Sequence, residues 1–136
     1  MAPVHYAFHV RDLASTRHFY GELLGCREGR STATWVDFDF FGNQISAHVG
    51  PVAATSDTGR VEDIAVPMPH FGALVGWDEL AALARRLDGA GATGVLPLRR
   101  RYVGEPGEQA TLFVRDFSGN ALELKAFRHV EHVFTP

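Results

Sequence analysis

Apolar and polar residues alternate strictly near the start of the chain. In VHYAFHV, residues 4–10, Tyr6, Phe8 and Val10 fall on one side of an extended segment, and His5, Ala7 and His9 on the other. The period then changes. In RDLASTRHFYGELLG, the residues Phe19, Tyr20, Leu23 and Leu24 recur at helical spacing, and Gly25 is a natural C-terminal stop. TWVDFDFFGNQISAHV reads as a hairpin turning at FGNQ, with Ile45, Ala47 and Val49 on one face of its second strand and Gln44, Ser46 and His48 on the other. Residues 51–69 are rich in Gly, Pro, Ser and Thr and read as a connector with a short strand near Ile64–Val66. The pattern then restarts. HFGALVGW is a strand, and WDELAALARRLDGAG is a helix with Leu80, Leu83, Ala84 and Leu87 as its stripe. LPLRRRYV, QATLFVRD and NALELKAF are three more strands, the last two joined by DFSGN.

The two halves thus share one order: strand, helix, three strands. An offset of 65 or 66 residues maps His5 onto His70 and Gly25 onto Gly91. Such an internal repeat predicts an α+β fold of two βαβββ units forming an eight-stranded, partly open barrel, with helices outside and a polar cavity within. The expected organisation is a single domain over 1–136. Its parts are a first repeat at 4–50, the connector at 51–69, a second repeat at 70–127 and a tail at 128–136.

Charge and composition narrow the function classes. The 136 residues carry a net charge of −3, which leaves no basic footprint for nucleic acid. The one basic run, Arg99-Arg100-Arg101, reads as a solvated strand edge. The sole cysteine, Cys26, rules out an intramolecular disulfide and suits a reducing, cytoplasmic setting. The N-terminal stretch has no secretory pattern, and no apolar run approaches the roughly 20 residues that span a bilayer. A membrane partner is therefore not expected. Seven histidines in a chain of this size do need explaining.

Three residues converge in this reading. His5 and His70 open equivalent repeat strands. Glu123 lies between Leu122 and Leu124, which face the helix side, so Glu123 faces the cavity. Two neutral imidazoles and a carboxylate in a cavity make a site for a divalent metal with open positions. Left without a cation, a buried glutamate beside two histidines would cost several kcal/mol.

The elements HYAFHVRDL, FYGELLG, HFGALV and VRDFSGNALELKAF resemble the vicinal oxygen chelate superfamily. That group holds glyoxalase I, fosfomycin and bleomycin resistance proteins and type I extradiol dioxygenases. The resemblance spans nearly the whole chain. WVDFDFFGNQISAH with PHFG and PGEQAT is similar to a smaller group of short extradiol-dioxygenase-like proteins. The resemblance implies the glyoxalase/bleomycin resistance/dioxygenase fold, metal ligands at His5, His70 and Glu123, and a homodimer. Some relatives build each site from two chains. Iron(II) is the favoured metal, with Mn, Ni, Zn or Co possible.

The favoured function is an iron(II) extradiol-type dioxygenase acting with O2 on a small catechol-like or other oxygen-chelating substrate. One alternative is a glyoxalase-type isomerase or lyase, or a thiol transferase acting on an antibiotic. Another is a non-catalytic drug-binding resistance protein. Two departures bear on the dioxygenase reading. Phe113 stands where extradiol enzymes carry a tyrosine, and residues 51–69 contain no histidine for the usual place beside the metal. His48 is then expected to be a fourth ligand or an acid/base group. His9, Tyr102 and Arg100 are expected in the substrate pocket. Glu105 and Glu108 are expected to be solvated, and His18, His129 and His132 to lie on the surface.

Overall fold

The computed structural model describes residues 2–136, and the chain divides into two compact units. The first comprises the chain up to Ala54 together with Asp116–Asn120. Its elements are β1 (His5–Val10), α1 (Leu13–Thr16), β2 (Arg27–Ser31), β3 (Trp35–Phe40) and β4 (Asn43–Val49). The sheet runs β1-β4-β3-β2, with β1 parallel to β4 and the other pairs antiparallel. β3 and β4 are joined through Phe41 and Gly42, both at positive φ (53° and 90°), which suits a right-twisted two-residue hairpin.

The expected helix of the first repeat begins at Asp12, whose carboxylate accepts from the Ser15 N–H at 2.7 Å. That bond holds the Asp12 carboxyl below its ordinary range. From Arg17 to Leu23 the coil widens to a π-helix, and the Leu24 N–H reaches back five residues to the Phe19 carbonyl at 3.0 Å. Phe19 and Tyr20 are both fully buried, and the Tyr20 ring lies 5.8 Å from that of Phe38 and 6.3 Å from that of Phe40. Buried Tyr20 must satisfy its hydroxyl, and it donates to Asp116 Oδ2 at 2.8 Å. The other oxygen of Asp116 accepts from the backbone N–H groups of Ser118 and Asn120, both at 2.9 Å. Asn120 Nδ2 donates to Asp116 Oδ2 at 2.9 Å and to the His9 carbonyl at 3.0 Å.

The second unit comprises Thr55–Arg115 and Ala121–Pro136. It holds β5 (Ser56–Val61), β6 (Ile64–Met68), β7 (Phe71–Leu74), α2 (Trp77–Gly89), β8 (Gly94–Arg101), β9 (Gln109–Arg115) and β10 (Ala121–Phe127). The sheet order is β7-β10-β9-β8, again with the first strand parallel to the last. α2 buries Leu80, Leu83 and Leu87, as the stripe predicts, each worth about 2 kcal/mol. Its first turn is closed by Glu79, which accepts from the Gly76 N–H at 3.2 Å.

The α+β class and the repeated βαβββ order hold, with two corrections. Among the described residues there are ten strands: the two repeats supply the expected eight, Arg27–Ser31 being the one the pattern did not locate, and the connector adds the β5–β6 hairpin. Val61 and Val66 of that hairpin pack with Leu96 and Phe113, which gives a segment read as a connector its reason to order. The strands hydrogen-bond into two four-stranded sheets and a two-stranded ribbon, and none of these sheets is closed. In the tail, Val130–His132 forms a short 3₁₀ turn.

Burial, and next the Asp116 carboxylate, push the Tyr20 hydroxyl well above its ordinary value of 10.0. An acid with a raised folded-state pKa stabilises the fold below its unfolded value and loses that contribution as pH climbs. Tyr20→Phe should therefore cost about 1–2 kcal/mol at neutral pH. It should also flatten the fall in stability above pH 10. Urea unfolding across that pH range checks both.

Candidate metal centre

His70 stands just before β7, and its ring is fixed from behind. Its Nδ1 lies 2.7 Å from the Pro67 carbonyl. A carbonyl only accepts, so Nδ1 carries a proton, and in the neutral form of the ring the lone pair lies at Nε2. That Nε2 lies 3.4 Å from Glu123 Oε1 on β10. Two acceptors thus face each other at partly buried positions, their side chains 21% and 15% exposed. A cation between them, proton or metal ion, removes the conflict.

The carboxylate of Glu123 is held as firmly. Its Oε2 accepts from the buried Thr111 hydroxyl at 2.6 Å, and Lys125 Nζ lies 3.5 Å away. Phe113, opposite Glu123 in the β9–β10 register, sets its ring edge-on to the His70 imidazole at 4.9 Å. Gly72 pairs with Glu123 across β7 and β10, and a Cβ there would come within 1.5 Å of the Glu123 carbonyl oxygen. Only glycine lets β7 approach closely enough to bring His70 to Glu123. His70, Phe71, Gly72, Leu74, Glu123 and Lys125 line an open cavity of about 220 Å³.

His5 belongs to the other unit, at the edge strand β1, and is exposed. Its Nδ1 lies 2.8 Å from Gln44 Oε1, its neighbour in the parallel β1–β4 register. Gln44 and Asp37 also line a groove of about 540 Å³ with Arg27, Arg30 and Asp39. Among the described residues, no group of three or more His, Cys, Asp or Glu side chains is assembled to hold an ion. Within the second unit the structure brings His70 and Glu123 together, and His5 belongs to the first unit.

The other expected residues fall as follows. His9 Nδ1 bonds the Pro51 carbonyl at 2.8 Å, and its ring covers Gly50 so closely that a Cβ there would sit 2.7 Å from it. His48 pairs across the sheet with Trp35, the ring centroids 6.1 Å apart. Tyr102 does not continue β8. It sits beyond the strand end at a positive φ of 56° and half exposed, with the Arg101 guanidinium 5.0 Å from its ring centroid. Arg100 bonds Glu108 and lies 5.8 Å from the Trp77 ring centroid. Glu108 is not solvated. It is buried, and the Arg100 hydrogen bond and then the Gly104 N–H hold its carboxyl below the ordinary range. His18 and His129 are exposed, as expected, while His132 is partly buried. Sequence reasoning missed Thr111, Lys125, Gln44 and Asp37. Their alternation onto the polar strand faces was a signal, but which strand lies beside which was needed to pair them.

A family model described as the Glyoxalase/Bleomycin resistance protein/Dioxygenase superfamily matches residues 2–124. Among solved structures, a glyoxalase/bleomycin resistance protein/dioxygenase from Alicyclobacillus acidocaldarius is 28% identical. The match covers 98% of this chain and 96% of that one, with a TM-score of 0.73. The fosfomycin resistance protein FosX from Listeria monocytogenes is 22% identical over 98% of both chains, with a TM-score of 0.69. TioX from Micromonospora sp. ML1 is 17% identical over 93% of this chain and 99% of that chain, with a TM-score of 0.63. No curated protein matched the chain. Among the described residues no helix is long and apolar enough to cross a membrane.

The Gly72 contact has a direct test. Gly72→Ala should destabilise the protein by about 3 kcal/mol or more, because backbone rather than a flexible side chain blocks the added methyl. Thermal unfolding measures it, with Gly89→Ala, where nothing lies within 4 Å, as the neutral control.

Proposed function

The chain belongs to the glyoxalase/bleomycin resistance protein/dioxygenase superfamily, and from that premise we propose that it is a metal-dependent enzyme. Its substrate would be a small molecule that presents two adjacent oxygens. His70 and Glu123 would hold a divalent ion, with His5 as the third ligand, supplied by a second copy of the chain in a homodimer. The observation that carries this reading is the approach of His70 Nε2 to Glu123 Oε1 at 3.4 Å, with His70 Nδ1 committed to the Pro67 carbonyl. The donor set fits. Imidazole nitrogen and carboxylate oxygen suit Fe, Mn, Co, Ni or Zn. Each donor is also oriented by a hydrogen bond behind it, from His70 to the Pro67 carbonyl and from Thr111 to Glu123. When bound, such an ion supplies a Lewis-acid centre with positions left for exogenous oxygens.

The chain's own groups divide the remaining work. Thr111 keeps one Glu123 oxygen occupied, so the other stays directed at His70. Lys125 places a positive charge at the cavity wall, where an anionic substrate oxygen would be stabilised. Phe113 closes one side of the imidazole against water. A three-residue ligand set favours a ferrous extradiol-type dioxygenase that uses O2 as co-substrate. Phe113, which stands against the ligand imidazole where the extradiol pattern has a tyrosine, leaves room for a second reading, a glyoxalase-type isomerase or lyase. In either reaction, proton transfer would fall to imidazoles such as His48 or His9.

Two measurements decide. Freshly purified protein should contain about one divalent ion per chain, and Glu123→Gln or His70→Ala should lose it. Retention in both variants, or a metal-free native protein, defeats the proposal. After anaerobic loading with Fe(II), oxygen uptake with a panel of catechols supports the dioxygenase. Turnover of an oxygen-chelating substrate without uptake supports the second reading.

A further inference from the structure

We infer that Gln44 and Asp37 are positioning residues that fix the imidazole of His5 with its proton on Nδ1 and its lone pair on Nε2. The inference rests on the reading of His5 as a metal ligand and deepens it. Nothing in the resemblance to relatives assigns a role to either residue.

The geometry runs outward from a carboxylate. Asp37 on β3 sits opposite Ser46 on β4 and is partly buried. One of its oxygens accepts from the Ser46 hydroxyl at 2.5 Å, and Ser46 is only 6% exposed, so this end of the chain of bonds is anchored in the sheet. The other oxygen accepts from Gln44 Nε2 at 3.3 Å. A carboxylate offers no proton, so it takes only the NH₂ end of the Gln44 amide. Turning the amide over would set two oxygens against each other. The Gln44 carbonyl is therefore directed away from Asp37, and it meets His5 Nδ1 at 2.8 Å. That oxygen can only accept, so Nδ1 must donate.

A solvated histidine prefers its proton on Nε2, the nitrogen nearer the open end of the ring. The Asp37–Gln44 pair reverses that preference before any ion arrives. His70 reaches the same tautomer by a different route, through the backbone carbonyl of Pro67. The first unit carries its equivalent on side chains, where single substitutions can remove it.

The test uses the intact metal-free protein first. Long-range ¹⁵N–¹H correlation at alkaline pH should show His5 with Nδ1 protonated and Nε2 bare. In Gln44→Met, which keeps the side-chain length without donor or acceptor, the proton should move mainly to Nε2. Asp37→Ala should move it in part. Titration with Co(II) alone should then show affinity weakened by about ten- to a hundredfold in Gln44→Met, with the unfolding midpoint unchanged because Gln44 is exposed. His5→Ala is the reference. If His5→Ala weakens Co(II) binding while Gln44→Met alters neither tautomer nor affinity, the positioning role is overturned and the metal reading stands. If His5→Ala leaves Co(II) binding untouched, the metal reading falls and the inference with it. A wild-type His5 with its proton on Nε2 overturns the inference alone.

Discussion

In each four-stranded sheet the first strand lies parallel to the fourth, and both halves of the candidate site follow from that pairing. β7 beside β10 sets His70 next to the strand that carries Glu123, and β1 beside β4 sets His5 opposite Gln44. Parallel neighbours cannot be joined by a tight turn, so each unit spends a helix and two further strands returning the chain to its starting edge. Local sequence preference does little to enforce such pairing. It is secured by apolar residues on the opposite face: Leu122 and Leu124 on β10, Ile45 and Ala47 on β4, all buried. The polar face is then free to carry chemistry.

The repeated topology does not produce repeated function. At the place where the second unit carries Glu123, the first carries Ser46, bonded to Asp37. The second unit orients its imidazole with a backbone carbonyl, and the first uses a side-chain amide. One unit therefore presents an imidazole–carboxylate pair under tight steric control, and the other an exposed single imidazole. This asymmetry is what would be expected if duplication supplied the scaffold and each copy then specialised in half of a coordination set.

Much of this was legible in the sequence. Strict alternation in VHYAFHV and NALELKAF marked their polar faces correctly, and the leucine stripe of α2 faced the core as read. The repeat offset placed His5 and His70 in equivalent positions. Long-range consequences were less visible. REGRS is charged and Gly-containing, and it becomes a strand only because β3 offers it an edge. The β5–β6 ribbon orders because Val61 and Val66 find Leu96 and Phe113, residues far along the chain. Glu108 looked solvated because its loop is rich in Gly and Pro, yet Arg100 and a backbone N–H draw it inside. Tyr102 broke the alternation through a left-handed backbone that no local residue announced.

The backbone approach at Gly72 also sorts the cavity wall into fixed and adjustable parts. The carbonyl of Glu123 fills the space where a side chain at residue 72 would begin, so that stretch of wall is main chain and cannot be reshaped by mutation. Phe71 and Leu74 line the same hollow, and Leu74 is half exposed. Any change of selectivity during evolution or in a designed library would have to be written at those flanking side chains, while the floor between them stays constant.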